Sequence, residues 1–273
     1  MSVIISIEGN IGSGKSTLVT ELKQYFNDTL YIEFLQEPVD IWSTIKDENG
    51  ITILEKFYED NEKYAFQFQM MAYISRLSII KNALKTNKYK YIITERSLYT
   101  DANIFAKMLY DDKKISLIEY TIYKMWFDEF ISDIPITKII YVKADPSVSC
   151  QRVIKRNRIG ENIPLSYLEK CHDYHEKWLT NSKYDMITLD GNNDITQNPT
   201  IMKGWIKQIE TFININDTIE VEQLNELEYS SSSDTDNEKN DNDKGDDEDA
   251  DDDSSSTSDE TYYDQMITLL GKK

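Results

Sequence analysis

The chain has 273 residues, 40% of them hydrophobic, which is enough for a proper core in one large domain or two small ones. It has only two cysteines, Cys150 and Cys171, so a disulfide framework is not expected, and no apolar run approaches the length of a bilayer span. Of the formal net charge of −19, residues 226–260 supply −14 through 16 acidic and 2 basic residues. The rest of the chain is therefore only mildly acidic.

The N-terminus begins directly with an apolar pattern. Ser2 is followed by VIISIEG, which is typical of a buried strand and not of a secretory or transit peptide. Two thiols without a disulfide pattern fit a reducing compartment. We therefore expect a soluble protein in the cytoplasm, with a nuclear location also open.

Strand and helix patterns alternate along the chain. Five runs rich in Ile, Val and Tyr predict buried strands: VIISI near residue 3, YIEFL near 31, YKYIIT near 89, KIIYV near 138 and MITL near 186. From Glu55 to Leu84, apolar residues recur at spacings of three and four, which predicts one long helix. The alternation predicts an α/β fold with a five-stranded parallel sheet flanked by helices. Ligands of such sheets bind at the carboxyl ends of the strands.

The first predicted strand runs into GNIGSGKST at residues 9–17. The spacing, between a strand and a helix, is that of a phosphate loop, or P-loop, and disfavours a purely structural glycine turn. The loop residues are Gly9, Asn10, Ile11, Gly12, Ser13, Gly14, Lys15, Ser16 and Thr17. We expect backbone N–H groups and Lys15 to bind the phosphates of a nucleoside triphosphate, and the Ser16 hydroxyl to bind Mg²⁺.

The third predicted strand ends in TERSLYTD at residues 94–101. Glu95 stands where P-loop proteins present an acidic residue to magnesium, and Arg96 follows it toward the same crevice. An exposed ion pair of little energetic value is the alternative interpretation. The position at a strand end favours the magnesium and phosphate roles.

A basic cluster follows in QRVIKRNRIGENIP at residues 151–164. Arg152 and Arg156 share a helix face, with Lys155 and Arg158 beside them. Cations near a helix C-terminus also stabilise the helix dipole, so a structural interpretation exists. We favour a lid that closes over phosphates, because four cations lie within seven residues of a chain that is acidic elsewhere.

Composition divides the chain into three parts. Residues 1–217 hold every motif and every predicted element. The acidic segment at residues 218–261 cannot bury a core and is predicted to be a disordered tail. Residues 262–273 are apolar again, and a docking peptide and a frayed end are equally good interpretations.

Several of these motifs together resemble one family. In chain order, IEGNIGSGKST, QEPVDIW, FYEDNEKYAFQFQMMAYISR, TERSLYTD, RVIKRNR and IPLSYLEKCHDYHEKWL are similar to the deoxyribonucleoside kinases of the deoxycytidine, deoxyguanosine and insect-type multisubstrate kind. The resemblance covers roughly residues 4–179 and continues less distinctively to about residue 214. It implies a P-loop kinase of nucleotide salvage that uses Mg²⁺ and ATP, or another NTP. The γ-phosphate would pass to the 5′-hydroxyl of a deoxyribonucleoside.

The resemblance also implies roles for single residues. Glu37 of the Glu-Pro-Val motif would be the catalytic base at the 5′-hydroxyl, and Arg96 would bridge Glu37 and the phosphates, with Lys15 as the third catalytic group. The implied nucleoside contacts are Trp42 as an apolar wall, Tyr58 and Glu161 at the 3′-hydroxyl, Phe68 stacked on the base, and Gln69, Arg76 and Asp101 at its edge. The implied donor contacts are the lid arginines Arg152, Arg156 and Arg158, and Asp194 beside the donor base.

Asp101 and Arg76 also predict which base is accepted. Cytosine and adenine present an amino donor next to a ring-nitrogen acceptor, which match a carboxylate and a guanidinium, whereas thymine reverses both groups. We therefore expect deoxyadenosine, deoxyguanosine or deoxycytidine to be phosphorylated well ahead of thymidine.

Two other functions are weighed against this one. A nucleoside monophosphate kinase of the thymidylate type shares the P-loop and lid, but Glu37 would repel a substrate phosphate. A noncatalytic binding or structural relative should have lost the loop lysine or the base, whereas Lys15, Ser16, Glu37 and Arg96 are all present. The expected partners are the deoxynucleoside, the NTP and, from the resemblance, a second copy in a homodimer, but neither nucleic acid nor a membrane.

Overall fold

The computed structural model describes residues 2–158 and 161–213. Its strands are β1 (Val3–Glu8), β2 (Ile32–Leu35), β3 (Tyr91–Glu95), β4 (Lys138–Lys143) and β5 (Asp185–Asp190). Each lies on one of the five predicted runs, so the strand prediction is confirmed. The predictions for the acidic tail at residues 218–261 and the apolar segment at residues 262–273 lie outside the described residues.

Helices fill the connections between the strands. They are α1 (Lys15–Tyr25), α2 (Val39–Thr44), α3 (Ile53–Glu59), α4 (Asn61–Lys85), α5 (Leu98–Thr100), α6 (Lys107–Asp111), α7 (Leu117–Phe130), α8 (Pro146–Arg156), α9 (Leu165–Thr180) and α10 (Pro199–Ile213). A π-helical segment, Asp101–Ala106, joins α5 to α6, and a 3₁₀ turn, Ile131–Asp133, follows α7. Across the described ranges, no helix is both long and apolar enough to cross a membrane.

The five strands form one sheet in the order β2-β3-β1-β4-β5, and every pairing is parallel. This confirms the predicted parallel α/β sheet flanked by helices. In the sheet, β1 lies between β3 on one side and β4 on the other, and a crevice opens at the carboxyl ends of these strands. The P-loop follows β1 directly at this crevice.

The two faces of the sheet bury different side chains. Ile5 and Ile7 of β1 belong to a core that includes residues of α1 and α10, whereas Ile4 belongs to a core that includes residues of α4 and α7. Successive side chains of a strand point to opposite faces, so one apolar run supplies both cores. Helices on both faces explain why the strand runs are almost continuously apolar.

The prediction of one helix from Glu55 to Leu84 is wrong, because the helix is interrupted at Asp60. Asp60 has φ −141° and ψ 81°, ends α3 and begins α4, where its carboxylate accepts a hydrogen bond from the Lys63 N–H. Aspartate favours this capping position because its oxygen satisfies an unpaired backbone donor of the first turn. The apolar spacing continues across the break, so periodicity alone did not reveal it.

Candidate active site

The glycines of the P-loop are required by close backbone contacts. Gly9 has φ 146°, and a Cβ there would lie 2.4 Å from the carbonyl oxygen of Val142. Gly12 has φ 80°, and a Cβ there would lie 2.5 Å from the carbonyl oxygen of Ser149. Any other residue would clash with β4 or α8, so the loop can pack against both elements only with glycine.

Lys15 begins α1 and is buried, with its Nζ donating to the carbonyl of Asn10 at 2.7 Å. Burial and the nearby Arg96 lower the pKa of Lys15 to about 7, although Glu95 and Glu37 oppose them. The Lys15 ammonium therefore loses its proton easily near neutral pH. A bound polyphosphate would restore its charge, since an opposite charge within a few ångströms favours the protonated form.

The Ser16 hydroxyl of the P-loop lies next to the Glu95 carboxylate. The Ser16 hydroxyl donates to Glu95 Oε1 at 2.6 Å, and Glu95 is buried at the carboxyl end of β3. Hydroxyl and carboxylate oxygens are hard donors that suit Mg²⁺, so these residues fit the ion. The described residues include no group of three or more His, Cys, Asp and Glu placed for a metal. Mg²⁺ is usually held by one or two carboxylates, substrate phosphates and water, so a larger group is not required.

Glu37 follows β2 and lies between two arginines. Its Oε1 is 3.1 Å from Nη2 of Arg76 and 3.2 Å from Nε of Arg96. Burial by itself raises the pKa of Glu37, but Arg96, Arg76 and Lys15 outweigh burial and bring the pKa down to about 2. Glu37 is therefore an ionised hydrogen-bond acceptor throughout the physiological pH range.

Arg96 has an unusual backbone conformation, with φ 63°. This left-handed conformation is strained for residues other than glycine, and it persists mostly at functional sites. The Nη1 of Arg96 donates to the carbonyl of Gly9 at 2.9 Å, and the guanidinium carbon lies 4.9 Å from the centre of the Phe105 ring. The turn thus aims the guanidinium back across the start of the P-loop.

Arg76 of α4 connects Glu37 to Asp101. These three residues, with Trp42, Phe68 and Gln69, form what we call the acceptor region. Its Nε donates to Asp101 Oδ2 at 2.9 Å, its Nη1 to the carbonyl of Glu95 at 2.7 Å, and its Nη2 to Glu37. Burial lowers the pKa of Arg76, but Asp101 and Glu37 more than offset this and raise it. The guanidinium therefore stays charged and fixes both carboxylates.

Aromatic rings form the apolar wall of the acceptor region. Trp42 donates from Nε1 to Ser75 Oγ at 2.9 Å and meets the Phe68 ring edge-on at 5.5 Å between centroids. Phe57 of α3 stacks on Phe68 at 4.5 Å, so the break at Asp60 brings an extra ring to this wall. Gln69 is buried, and its Oε1 makes no hydrogen bond within the described part of the chain. That oxygen is available to a ligand.

Arg156 of α8 pairs with Glu161. Its Nε donates to Glu161 Oε2 at 2.7 Å, and its Nη2 donates to Oε1 of the same carboxylate. Burial and then the Glu161 carboxylate raise the pKa of Tyr58, which places Tyr58 and Glu161 in one electrostatic neighbourhood. Arg158 follows the end of α8 and is exposed.

Arg152 makes contacts that the sequence did not predict. Its Nη1 donates to the carbonyl of Gly191 at 2.6 Å and its Nη2 to the carbonyl of Asn193 at 3.0 Å. Asp194 closes the same loop by accepting hydrogen bonds from the backbone N–H and the hydroxyl of Thr196, at 3.0 and 2.6 Å. In this structure Arg152 therefore attaches the loop after β5 to α8.

The predicted site residues converge on one cavity of about 540 Å³. All of them line it except Gly9 and Asn10, whose carbonyls accept hydrogen bonds from Arg96 and Lys15. The cavity is also lined by Phe105, which sequence reasoning missed although it lies four residues after Asp101 on the same helical segment. The cavity thus extends from the P-loop to the apolar wall of Trp42, Phe57 and Phe68, with the Glu37 carboxylate where the two parts meet.

The parallel sheet, the P-loop and this cavity define a P-loop phosphotransferase with a small-molecule acceptor. A family model described as deoxynucleoside kinase matches residues 5–214. The deoxycytidine kinase of Homo sapiens is 38% identical over 241 residues, covering 77% of this chain and 90% of that protein. A probable deoxycytidine kinase of Fowlpox virus is 36% identical, covering 77% of this chain and 88% of the viral protein. The mitochondrial deoxyguanosine kinase of Xenopus laevis is 34% identical over 64% of this chain and 72% of its own length.

The chain belongs to the deoxynucleoside kinase family. It is therefore a kinase that acts on small-molecule nucleosides and nucleotides, and the family uses ATP as phosphate donor.

Proposed function

We propose that this kinase transfers the γ-phosphate of ATP to the 5′-hydroxyl of a deoxynucleoside and prefers deoxycytidine or purine deoxynucleosides to thymidine. One observation carries the proposal: the ionised Glu37 lies between Arg76 and Arg96 in a cavity that the P-loop also lines. A carboxylate there accepts the proton of the hydroxyl that attacks the γ-phosphorus. Phosphoryl transfer has a loose transition state, so orientation of the hydroxyl matters more than basicity, and a pKa of about 2 is compatible with the role.

The donor phosphates are assigned to the P-loop and to the cations around it. Lys15 lies at the start of α1, where the backbone N–H groups of the loop would also bind an anion. Arg96 contacts both the carbonyl of Gly9 and Glu37, so it spans the gap between donor and acceptor. Mg²⁺, held through Ser16 and Glu95, would neutralise charge on the phosphates. Arg156 and Arg158 line the same cavity from the lid side.

The electrostatics of the acceptor region disfavour a nucleoside monophosphate kinase. The Glu37 carboxylate is charged at neutral pH, and both of its arginine contacts are made through Oε1. A phosphate on the acceptor would have to lie beside this anion, with repulsion that grows in a partly buried site. An uncharged hydroxyl instead gains a hydrogen bond.

The base preference rests on Arg76, Asp101 and Gln69 in the acceptor region. Arg76 and Asp101 are 1% and 3% exposed and bonded at 2.9 Å, and Gln69 offers an unpaired oxygen nearby on α4. The amino group and ring nitrogen of cytosine or adenine complement this set, whereas thymine mismatches it. Each mismatched buried pair costs on the order of 1–3 kcal/mol, or about one to two powers of ten in kcat/KM.

The test is kcat/KM for deoxycytidine, deoxyadenosine, deoxyguanosine and thymidine with ATP, with the product identified as the 5′-monophosphate. We expect thymidine to be the poorest of the four. Replacing Asp101→Ala together with Arg76→Met should raise the thymidine-to-deoxycytidine ratio of kcat/KM. The ratio is the readout, because Arg76 also contacts Glu37 and its loss lowers turnover of every nucleoside. Thymidine as the best substrate of the native enzyme would refute the preference.

The proposal includes a homodimer. Ile118, Ile122 and Met125 lie at spacings of four and three on α7 and are 74%, 39% and 67% exposed. A contiguous apolar face of this kind on a helix is suited to association with a second copy. Light scattering should give the mass of a dimer for the native chain and of a monomer for Ile118→Glu with Met125→Glu. Ile154→Glu, at an isolated site on α8 that is 70% exposed, is the control and should leave the dimer intact.

Two further assignments are part of the proposal. The kinase domain is residues 1–217, and the compartment is the cytoplasm, with the nucleus also open. Cys150 and Cys171 are both free, which agrees with a reducing environment.

A further inference from the structure

Glu8, the last residue of β1, is a fully buried carboxylate outside the cavity. It accepts hydrogen bonds from three hydroxyl groups: that of Ser6 at 2.5 Å, that of Ser97 at 2.7 Å, and that of Thr100. Two of the three donors belong to the short segment that follows β3.

Three groups of the active site flank Ser97 and Thr100 in the chain. Glu95 and Arg96 precede Ser97, and Asp101 follows Thr100 directly. Ser97 and Thr100 also cap each other, because each side chain bonds to the backbone N–H of the other. Glu8 therefore holds both ends of the turn from residue 97 to residue 100.

Two hydrogen bonds of Arg96 reach the residues on either side of Glu8, Ile7 in β1 and Gly9 at the start of the P-loop. The backbone N–H of Arg96 donates to the carbonyl of Ile7 at 3.0 Å, and its Nη1 donates to the carbonyl of Gly9 at 2.9 Å. Arg96 has φ 63°, a conformation that persists only where surrounding contacts fix it. The hydroxyl clamp on Glu8 begins at the very next residue, Ser97.

We propose that Glu8 is a positioning residue for phosphoryl transfer, which holds the Ser97–Thr100 turn so that Arg96 keeps its strained backbone and reaches both Glu37 and the P-loop. The inference rests on the proposed role of Arg96 in that transfer. A carboxylate suits the task because it only accepts hydrogen bonds and has two oxygens for three hydroxyl donors. A misplacement of about 1 Å can cost as much as 10²-fold in rate.

The donor that lies outside the turn, Ser6, distinguishes a positioning role of Glu8 from a purely structural one. Ser6 lies on β1 itself, so Ser6→Ala removes an equally buried bond to Glu8 without loosening the turn. The Thr100 hydroxyl bonds both to Glu8 and to the Ser97 N–H, so Thr100→Val keeps the shape of the side chain but removes two bonds that hold the turn, whereas Glu8→Gln leaves the capping bonds between Ser97 and Thr100 in place. We expect a loss of Tm for each variant, a kcat about tenfold lower for Thr100→Val and for Glu8→Gln, and a kcat within about twofold of native for Ser6→Ala.

The same variants in an Arg96→Lys background test whether Glu8 acts through Arg96. With saturating ATP and deoxycytidine, Thr100→Val should then lower kcat by less than about twofold, because the group that it misplaces is already gone. An undiminished tenfold effect, a native kcat for Thr100→Val, or an equal kcat loss for Ser6→Ala would each overturn the inference. If Thr100→Val does not fold, Ser97→Ala takes its place.

Arg96→Lys alone separates the two levels of the proposal. A native kcat for this variant would refute the role of Arg96 itself. A low kcat for Arg96→Lys, combined with a native kcat for Thr100→Val, would refute only the role of Glu8.

Discussion

Glu37→Gln is the most direct perturbation of the proposed chemistry. The glutamine keeps the size of the side chain and one acceptor oxygen, but it loses the negative charge that faces Arg76 and Arg96 at 3.1 and 3.2 Å. It also loses the ability to take the proton of the attacking hydroxyl. Its amide NH₂, if it turns toward either guanidinium, places a donor against a donor.

The depressed pKa of Glu37 indicates how strongly the site favours the negative charge that glutamine removes. A change from 4.5 to about 2 means that the site favours the ionised form over the neutral one by about 3 kcal/mol. Loss of a general base costs about 10²- to 10⁴-fold in turnover. We therefore expect kcat to fall within that range while the Kd of ATP changes less than about threefold, because Lys15 and the P-loop backbone are untouched.

The assay is steady-state turnover of deoxycytidine, with ATP affinity measured separately by calorimetry. Glu33→Gln is the matched control, since Glu33 is a partly buried glutamate on β2, four residues earlier and outside the cavity lining. It should keep turnover within about twofold. A native kcat for Glu37→Gln would show that Glu37 only caps the strand and would refute the reasoning.

Three further predictions follow from the same structure. The pKa of Lys15 is about 7 without phosphates, so ATP binding at pH 8 should take up a proton, seen as a buffer-dependent calorimetric enthalpy, and affinity should fall up to about tenfold per pH unit above 7. Lys15→Met should abolish that uptake. The folded-state pKa of Glu37 is depressed, so its stabilisation is present above pH 4.5 and lost as pH falls toward 2, and the unfolding free energies of native and Glu37→Gln chains in urea should converge over that interval. Ending the chain after Asp217 should leave kcat within a few-fold, and a truncated chain that folds without activity would contradict the proposed kinase domain.

Local patterns were sufficient for most of the fold. The strands were predictable because helices cover both faces of the sheet, which makes each strand an almost continuous apolar run. The P-loop was predictable because its residue spacing is a recognisable motif, although the contacts that require its glycines are made with distant segments. Gly9 and Gly12 are needed where the backbone approaches β4 and α8, and the spacing of the motif records this directly.

Contacts between distant segments were not predictable in the same way. The break at Asp60 depends on one capping bond that the apolar spacing does not register. Arg152 was expected at phosphates from its charge and helix position, and it does line the cavity, but its hydrogen bonds go to the carbonyl of Ser13 and to carbonyls of a loop about 40 residues later, as the bond to Gly191 shows. Glu8 is a single letter before the P-loop, and nothing in its spacing relative to Thr100 indicates that the two meet.

Arg76 connects two properties that enzymes often keep separate. One guanidinium bonds Asp101, which lies at the proposed base edge, and Glu37, which lies at the proposed site of proton transfer. A rigid planar fork cannot tilt toward one partner without changing its angle to the other. A nucleoside whose base displaces Arg76 from Asp101 should therefore also displace Glu37 from its hydroxyl. Discrimination against thymidine should accordingly lower kcat as well as raise KM, whereas a base edge isolated from Glu37 would change KM alone.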